Sequence, residues 1–132
     1  MHRLTSLAVS LVLAVPAVAF ADKSYNEAGM KVTHNCAKDK DGPTAMINGT
    51  DGTYAFTGAC TKIGVNGSTN KITIDKATAI NVNGNGNTIA VEGADKISVT
   101  GNDNKVSWKK GVAGDKPAVS NIGNNNAVSR SK

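Results

Sequence analysis

Three segments of this chain repeat one another at a constant offset of 17. Ile63-Gly64-Val65-Asn66-Gly67-Ser68-Thr69-Asn70-Lys71-Ile72-Thr73-Ile74 is followed by Ile80-Asn81-Val82-Asn83-Gly84-Asn85-Gly86-Asn87-Thr88-Ile89-Ala90-Val91, and then by Ile97-Ser98-Val99-Thr100-Gly101-Asn102-Asp103-Asn104-Lys105-Val106-Ser107-Trp108. The common pattern is Φ-x-Φ-x-G-x-x-N-x-Φ-x-Φ, where Φ is apolar. Weaker copies flank it. Ala45, Ile47, Gly49, Tyr54 and Phe56 fit at an offset of 18, with Gly52 in place of the asparagine. Val119, Gly123, Asn126 and Val128 fit after a five-residue insertion around Gly111 to Pro117. A unit this short cannot bury its own apolar face, so it has to stack on its neighbours.

Each unit reads as strand, tight arc, strand, longer arc. Alternation such as Ile72-Thr73-Ile74 turns one face inward and leaves the other in water. β-branched residues fill the inward positions, which suits a pleated surface. The glycines Gly49, Gly67, Gly84, Gly101 and Gly123 are expected to supply a positive φ in the tight arc. Helix is disfavoured by the density of glycine, asparagine and threonine. Two architectures use such a unit: an antiparallel meander with Asn-Gly hairpins, or a parallel β-solenoid with strands about 4.8 Å apart. Only the solenoid requires identical residues at identical positions, and we favour it. Asn70, Asn87, Asn104 and Asn126 would then form a ladder of side-chain amides. Ala59, Ala77, Ala94 and Gly111 would stack at the second arc, where space is small.

The inward set under this reading is Ile47, Tyr54, Phe56, Ile63, Val65, Ile72, Ile74, Ile80, Val82, Ile89, Val91, Ile97, Val99, Val106 and Trp108. Tyr54, Phe56 and Trp108 are expected in the outermost coils, plugging the ends. Residues 22–44 are read as an N-terminal cap with a strand over Met30 to His34 and a polar turn over Lys38 to Pro43. The solenoid is placed at 45–128, and Ser129 to Lys132 as a loose tail.

The first residues bear on the compartment. Met1-His2-Arg3 is a basic start, Leu4 to Phe20 is largely apolar, and Ala19-Phe20-Ala21 offers small residues at a signal-peptidase site. Together these predict a secretory signal peptide over 1–21, cleaved after Ala21. The apolar run is short for the ~20 residues of a membrane span, and no cysteine sits at the junction to take a lipid. The expected mature chain, Asp22 to Lys132, suits a single domain. It carries 14 basic and 10 acidic residues, a mild excess whose lysines are scattered along the sequence, unlike a nucleic-acid-binding stripe. Cys36 and Cys60 are the only cysteines. In an exported chain such a pair favours a disulfide, worth about 3 kcal/mol for a loop of this length. A metal site would need more soft ligands than His34 can add.

The tandem V-x-G-x-x-N-x-I-x-V signature resembles that of a family of small exported bacterial proteins classed as a domain of unknown function. The resemblance spans Ala45 to Val128 and takes in the Cys60 region. It implies a short β-stack and an exported address, and no activity. The arcs Gly67/Asn70, Gly84/Asn87 and Gly101/Asn104 are also similar to those of curlin-type amyloid subunits. The curlin glutamine and serine ladders are missing, and outward Lys71, Asp75, Glu92 and Lys105 oppose open-ended stacking.

No catalytic constellation is recognisable. The acids Asp75, Glu92, Asp95, Asp103 and Asp115 are read as falling at different repeat positions, giving no pair for acid–base work. There is no nucleophile elbow and no calcium-binding G-G-x-G-x-D. Asn83-Gly84-Asn85-Gly86-Asn87 lacks the third glycine and the helix of a phosphate site. The outward pairs Gly64/Asn66, Asn81/Asn83 and Ser98/Thr100 are too irregular for an ice-binding threonine array. Asn48-Gly49-Thr50 and Asn66-Gly67-Ser68 match glycosylation acceptors but are assigned to turns. We therefore expect no cofactor, no metal and no nucleic-acid partner. The leading expectation is a monomeric, exported, non-enzymatic module that binds an envelope or extracellular protein or polymer across an outer sheet face. The alternatives are a self-assembling structural subunit and, third, a polysaccharide-acting enzyme.

Overall fold

The computed structural model describes residues 23–38 and 44–132. The signal-peptide expectation, with its cleavage site, and most of the polar turn expected over Lys38 to Pro43 lie outside the described residues. Nine strands follow in order: β1 (Lys23–Tyr25), β2 (Lys31–Asn35), β3 (Thr44–Ile47), β4 (Thr53–Val65), β5 (Lys71–Asn85), β6 (Thr88–Asn102), β7 (Lys105–Lys110), β8 (Ala118–Ile122) and β9 (Ala127–Arg130). Every pairing between them is parallel. That excludes the meander. Ile63 faces Ile80 and Ile97 in turn, and Ile72 faces Ile89 and then Val106, so equivalent residues lie directly over each other. The fold is a short parallel β-solenoid of about six coils.

The long strands β4, β5 and β6 bend, and each serves two sheets. One sheet stacks β1, β3, the second halves of β4, β5 and β6, and β8. The other stacks β2, the first halves of the same three strands, β7 and β9. Between them lies one column of buried side chains: Ile47, Tyr54, Phe56, Ile63, Val65, Ile72, Ile74, Ile80, Val82, Ile89, Val91, Ile97, Val99 and Val106. Each such side chain contributes about 1.5–3 kcal/mol against chain entropy. No helix among the described residues is long and apolar enough to cross a membrane.

Several boundaries differ from the sequence reading. The N-terminal cap, tied by its disulfide, takes the form of a further coil. Lys23 pairs with Ala45 and Lys31 with Thr53, both at an offset of 22, too irregular for the repeat pattern to reveal. Tyr54 and Phe56 consequently lie in the second coil, where Tyr25 covers them with ring centroids 5.6 and 6.3 Å away. Trp108 is only half-buried, in the fifth coil. Its indole is covered by the Arg130 guanidinium, 5.5 Å from the ring centroid. The expected loose tail is partly strand, since Ser129 and Arg130 belong to β9 and the Ser131 N–H donates to Trp108 O at 2.7 Å.

A β-bulge corrects the small-residue stack. The register of β4 on β5 slips between Phe56 and Ala59, so Cys60, not Ala59, sits over Ala77. Ala59 faces Lys76 and is exposed. Cys60, Ala77 and Ala94 are buried. Cys60 is bonded to Cys36 with Cα atoms 5.2 Å apart, which ties the first coil to the stack.

Candidate interaction face

The tight arc of each coil is built by one asparagine and one glycine. The Asn70 backbone N–H donates to Asn87 Oδ1 at 3.0 Å, and Asn70 Nδ2 donates to the same oxygen at 3.3 Å and to Gly49 O at 2.9 Å. Asn87 repeats this toward Asn104 and Gly67 O, and Asn104 toward Asn126 and Gly84 O. Asn70, Asn87 and Asn104 are fully buried with amide oxygen and nitrogen satisfied, as buried polar groups must be. The ladder ends at Gly52, whose N–H donates to Asn70 Oδ1 at 2.9 Å. The Tyr54 ring fills the space that a side chain at position 52 would need.

The arc glycines have a different cause from the one expected. A Cβ on Gly67 would strike the carbonyl of Gly49, one on Gly84 that of Gly67, one on Gly101 that of Gly84, and one on Gly123 that of Gly101. Gly49 meets Glu27 O in the same way. Close approach between coils therefore demands glycine here. Only Gly101 and Gly123 of this set also have positive φ. The left-handed residue of each arc comes two positions later: Asp51, Thr69, Gly86, Asp103 and Asn125.

Outside this spine, register organises the surface. Two further asparagine runs, unforeseen from the sequence, lie exposed along the arcs. Asn48 Nδ2 donates to Asn26 Oδ1 at 2.7 Å and Asn66 Nδ2 to Asn48 Oδ1 at 3.0 Å. Asn102 N–H donates to Asn85 Oδ1 and Asn124 N–H to Asn102 Oδ1. The repeat offset separating Asn85 from Asn102 was the available signal. On the first sheet the outward column reads Met46, Gly64, Asn81, Ser98 and Ser120.

The outer face of the second sheet is regular along the stack. One column runs Lys31, Thr53, Lys71, Thr88, Lys105, Ala127. Two positions along, the next runs Thr33, Ala55, Thr73, Ala90, Ser107, Ser129. The second column carries only small side chains, and its Thr73, Ala90 and Ser107 line a depression of about 130 Å³ together with Asp75, Glu92, Lys109 and Ser131. Lysines scattered in the sequence are thus aligned in the fold.

The acids need a correction. Asp75 and Glu92 are one repeat apart and so occupy the same position in neighbouring coils, unlike the expectation that no acids recur in register. Each already has a partner. Asp75 Oδ2 accepts the Gly58 N–H at 3.1 Å within the bulge, and Glu92 Oε1 is 2.9 Å from Lys109 Nζ. Asp95 Oδ1 accepts the N–H groups of Val112 and Ala113, both at 2.8 Å, and so anchors the insertion. Asp103 holds an arc and Asp115 lies on the insertion, away from this group. Among the described residues no group of three His, Cys, Asp or Glu side chains is placed to hold a metal ion.

No curated protein and no solved structure matches the chain significantly. A family model does, twice and in overlapping stretches as tandem repeats would give, over residues 47–85 and 76–125. These stretches cover more than half of the chain, and it belongs to the family described as Protein of unknown function (DUF3060).

Proposed function

We propose that this protein is an exported, non-enzymatic module that binds an envelope or extracellular partner across the outer face of its second sheet. The observation that carries the reading is the register of that face. A stack tied by an internal amide ladder and a disulfide holds Thr33, Ala55, Thr73, Ala90 and Ser107 in one line beside a line of lysines and threonines. A rigid, polar, repetitive surface suits a repetitive ligand, because little side-chain freedom is lost on binding. Export is supported by the basic-apolar-small start of the sequence and by the disulfide, which persists in oxidising compartments. The test is capture from envelope and culture-medium extracts by the purified mature chain and by an Ala90→Trp variant, whose indole would fill the depression. Capture that the variant abolishes supports the reading; capture that ignores the variant, or none, overturns it.

A second reading, self-assembly, is favoured by the last coil. Val119 sits over buried Ile97 yet is 45% exposed, and Ile122 is 62% exposed. Arg130 is the only charged residue of β8 and β9, on strands where charges would discourage edge pairing. Sedimentation over a wide concentration range, comparing the protein with Val119→Lys, decides it: only concentration-dependent association that the lysine abolishes supports this reading. The enzyme alternative would rest on Asp75 and Glu92, and turnover of a polysaccharide abolished by Asp75→Asn would displace the leading proposal.

A further inference from the structure

Lysines on the second sheet alternate coil by coil. Lys31, Lys71 and Lys105 occupy the first, third and fifth coils of one column, with Thr53 and Thr88 between them. All five are exposed. Adjacent strands are about 4.8 Å apart, so the ammonium groups recur about every 10 Å along some 19 Å of the axis. The sequence interval from Lys31 to Lys71 is longer than that from Lys71 to Lys105, and the uneven coil lengths hide the regularity. None of the three joins an ion pair among the described residues. Two acids on the same face are engaged otherwise, Asp75 by the Gly58 N–H and Glu92 by Lys109. Asp51 and Asp103 border the column at the arcs, in left-handed turn positions.

We propose that this column binds a linear anionic polysaccharide carrying one carboxylate or sulfate on every second sugar, laid parallel to the solenoid axis. The inference rests on the outer-face reading above and names its ligand. An extended 1,4-linked pyranose chain advances by about 5 Å per sugar, close to the strand spacing of about 4.8 Å. An acid on alternate sugars therefore meets Lys31, Lys71 and Lys105 in step, and the intervening sugars present hydroxyls to Thr53 and Thr88. The adjoining line of Ala55, Thr73, Ala90 and Ser107 leaves room for the rings. Charge complementarity selects this occupant over a neutral glycan, and the matched period selects it over a polymer charged at every unit.

The experiment is titration of the mature, oxidised chain with three probes: a 1,4-linked oligosaccharide alternating uronate and N-acetylhexosamine, a neutral 1,4-linked N-acetylglucosamine oligomer and inorganic polyphosphate. The expected result is tightest binding to the alternating oligosaccharide, weakening as salt is raised. A triple variant Lys31→Gln, Lys71→Gln, Lys105→Gln should lose about tenfold or more in affinity. A triple variant Lys62→Gln, Lys76→Gln, Lys96→Gln has the same net charge and should lose less than about twofold. Circular dichroism of both variants establishes that the stack is intact. Equal losses in the two variants, preference for polyphosphate, or no binding of the alternating oligosaccharide overturns the proposal. Ala90→Trp separates this failure from that of the broader reading. If the tryptophan blocks an extract-derived partner while the first lysine variant still binds it, the face is a binding site and the anionic ligand is wrong. If neither change matters, both are wrong.

Discussion

Thr69 shows how far the repeat outranks local preference. It has φ 58°, a left-handed conformation that a β-branched side chain adopts at a cost, while Gly86 takes the equivalent place in the next coil. Thr69→Asn should stabilise the protein by about 1 kcal/mol, read as a higher denaturation midpoint at unchanged m-value; a fall would mean that the threonine makes a compensating contact. The ladder has the opposite sign. Asn87→Ala removes the acceptor of the Asn70 N–H and the donor to Gly67 O inside the stack. It should cost about 3 kcal/mol or more, well above an exposed-ladder change such as Asn102→Ala. Tyr54 is a third case. Its hydroxyl is buried with no hydrogen-bond partner among the described groups, and burial raises the phenol above its ordinary pKa. The folded state thus holds this proton to higher pH than the unfolded chain. Stability tied to neutral Tyr54 is complete below the unfolded value of 10.0 and is lost as pH rises through the folded one. Tyr54→Phe should gain about 1 kcal/mol at neutral pH and flatten that alkaline loss; parallel losses in both proteins would place the alkaline transition elsewhere.

At the scale of the strand and arc, what was legible depended on strict period. The coils from Ile63 to Trp108 keep one offset, and their strands, core and asparagine ladder follow from the sequence. Where the offset changes, register is set by packing that the repeat pattern does not carry. One extra residue in β4 is absorbed as a bulge, and without its position Ala59 and Cys60 are indistinguishable candidates for the stack over Ala77. The first coil, at an offset of 22, shares too few residue types with the rest to be counted as a repeat. The lysine column is hidden for the same reason, because Lys31 reaches Lys71 across both irregular steps. The role of the arc glycine is misread in the sequence because backbone crowding and positive φ both select the same residue. The disulfide belongs to this scale too, since it closes Cys36, at the end of the first coil, onto the small-residue stack. Reduction, or Cys36→Ser with Cys60→Ser, should cost about 3 kcal/mol. Hydrogen exchange should show the loss greatest in β1 and β2; uniform loss through β6 would mean that the coils do not unfold separately.

At the scale of the molecule, coils contact only their neighbours, so stability should behave as a sum of coil and interface terms. Duplicating residues 80–96 adds one coil in phase, extending the buried column with Ile80, Val82, Ile89 and Val91 and the ladder with Asn87. The longer chain should bury more surface on folding and unfold with a larger m-value and a higher midpoint. It should also place two copies of Thr88 between Lys71 and Lys105, since the duplicated segment carries threonine at that column. Net charge then changes only by the Glu92, Asp95 and Lys96 of the copy, while the Lys71–Lys105 gap grows from two strand spacings to three, about 14 Å. Stability and recognition are predicted to move apart: a more stable protein that binds the alternating anionic oligosaccharide more weakly. Duplicating residues 71–104 adds two coils and keeps the lysine alternation, so it should restore the affinity. If the one-coil and two-coil insertions bind alike, the matched period has no part in recognition.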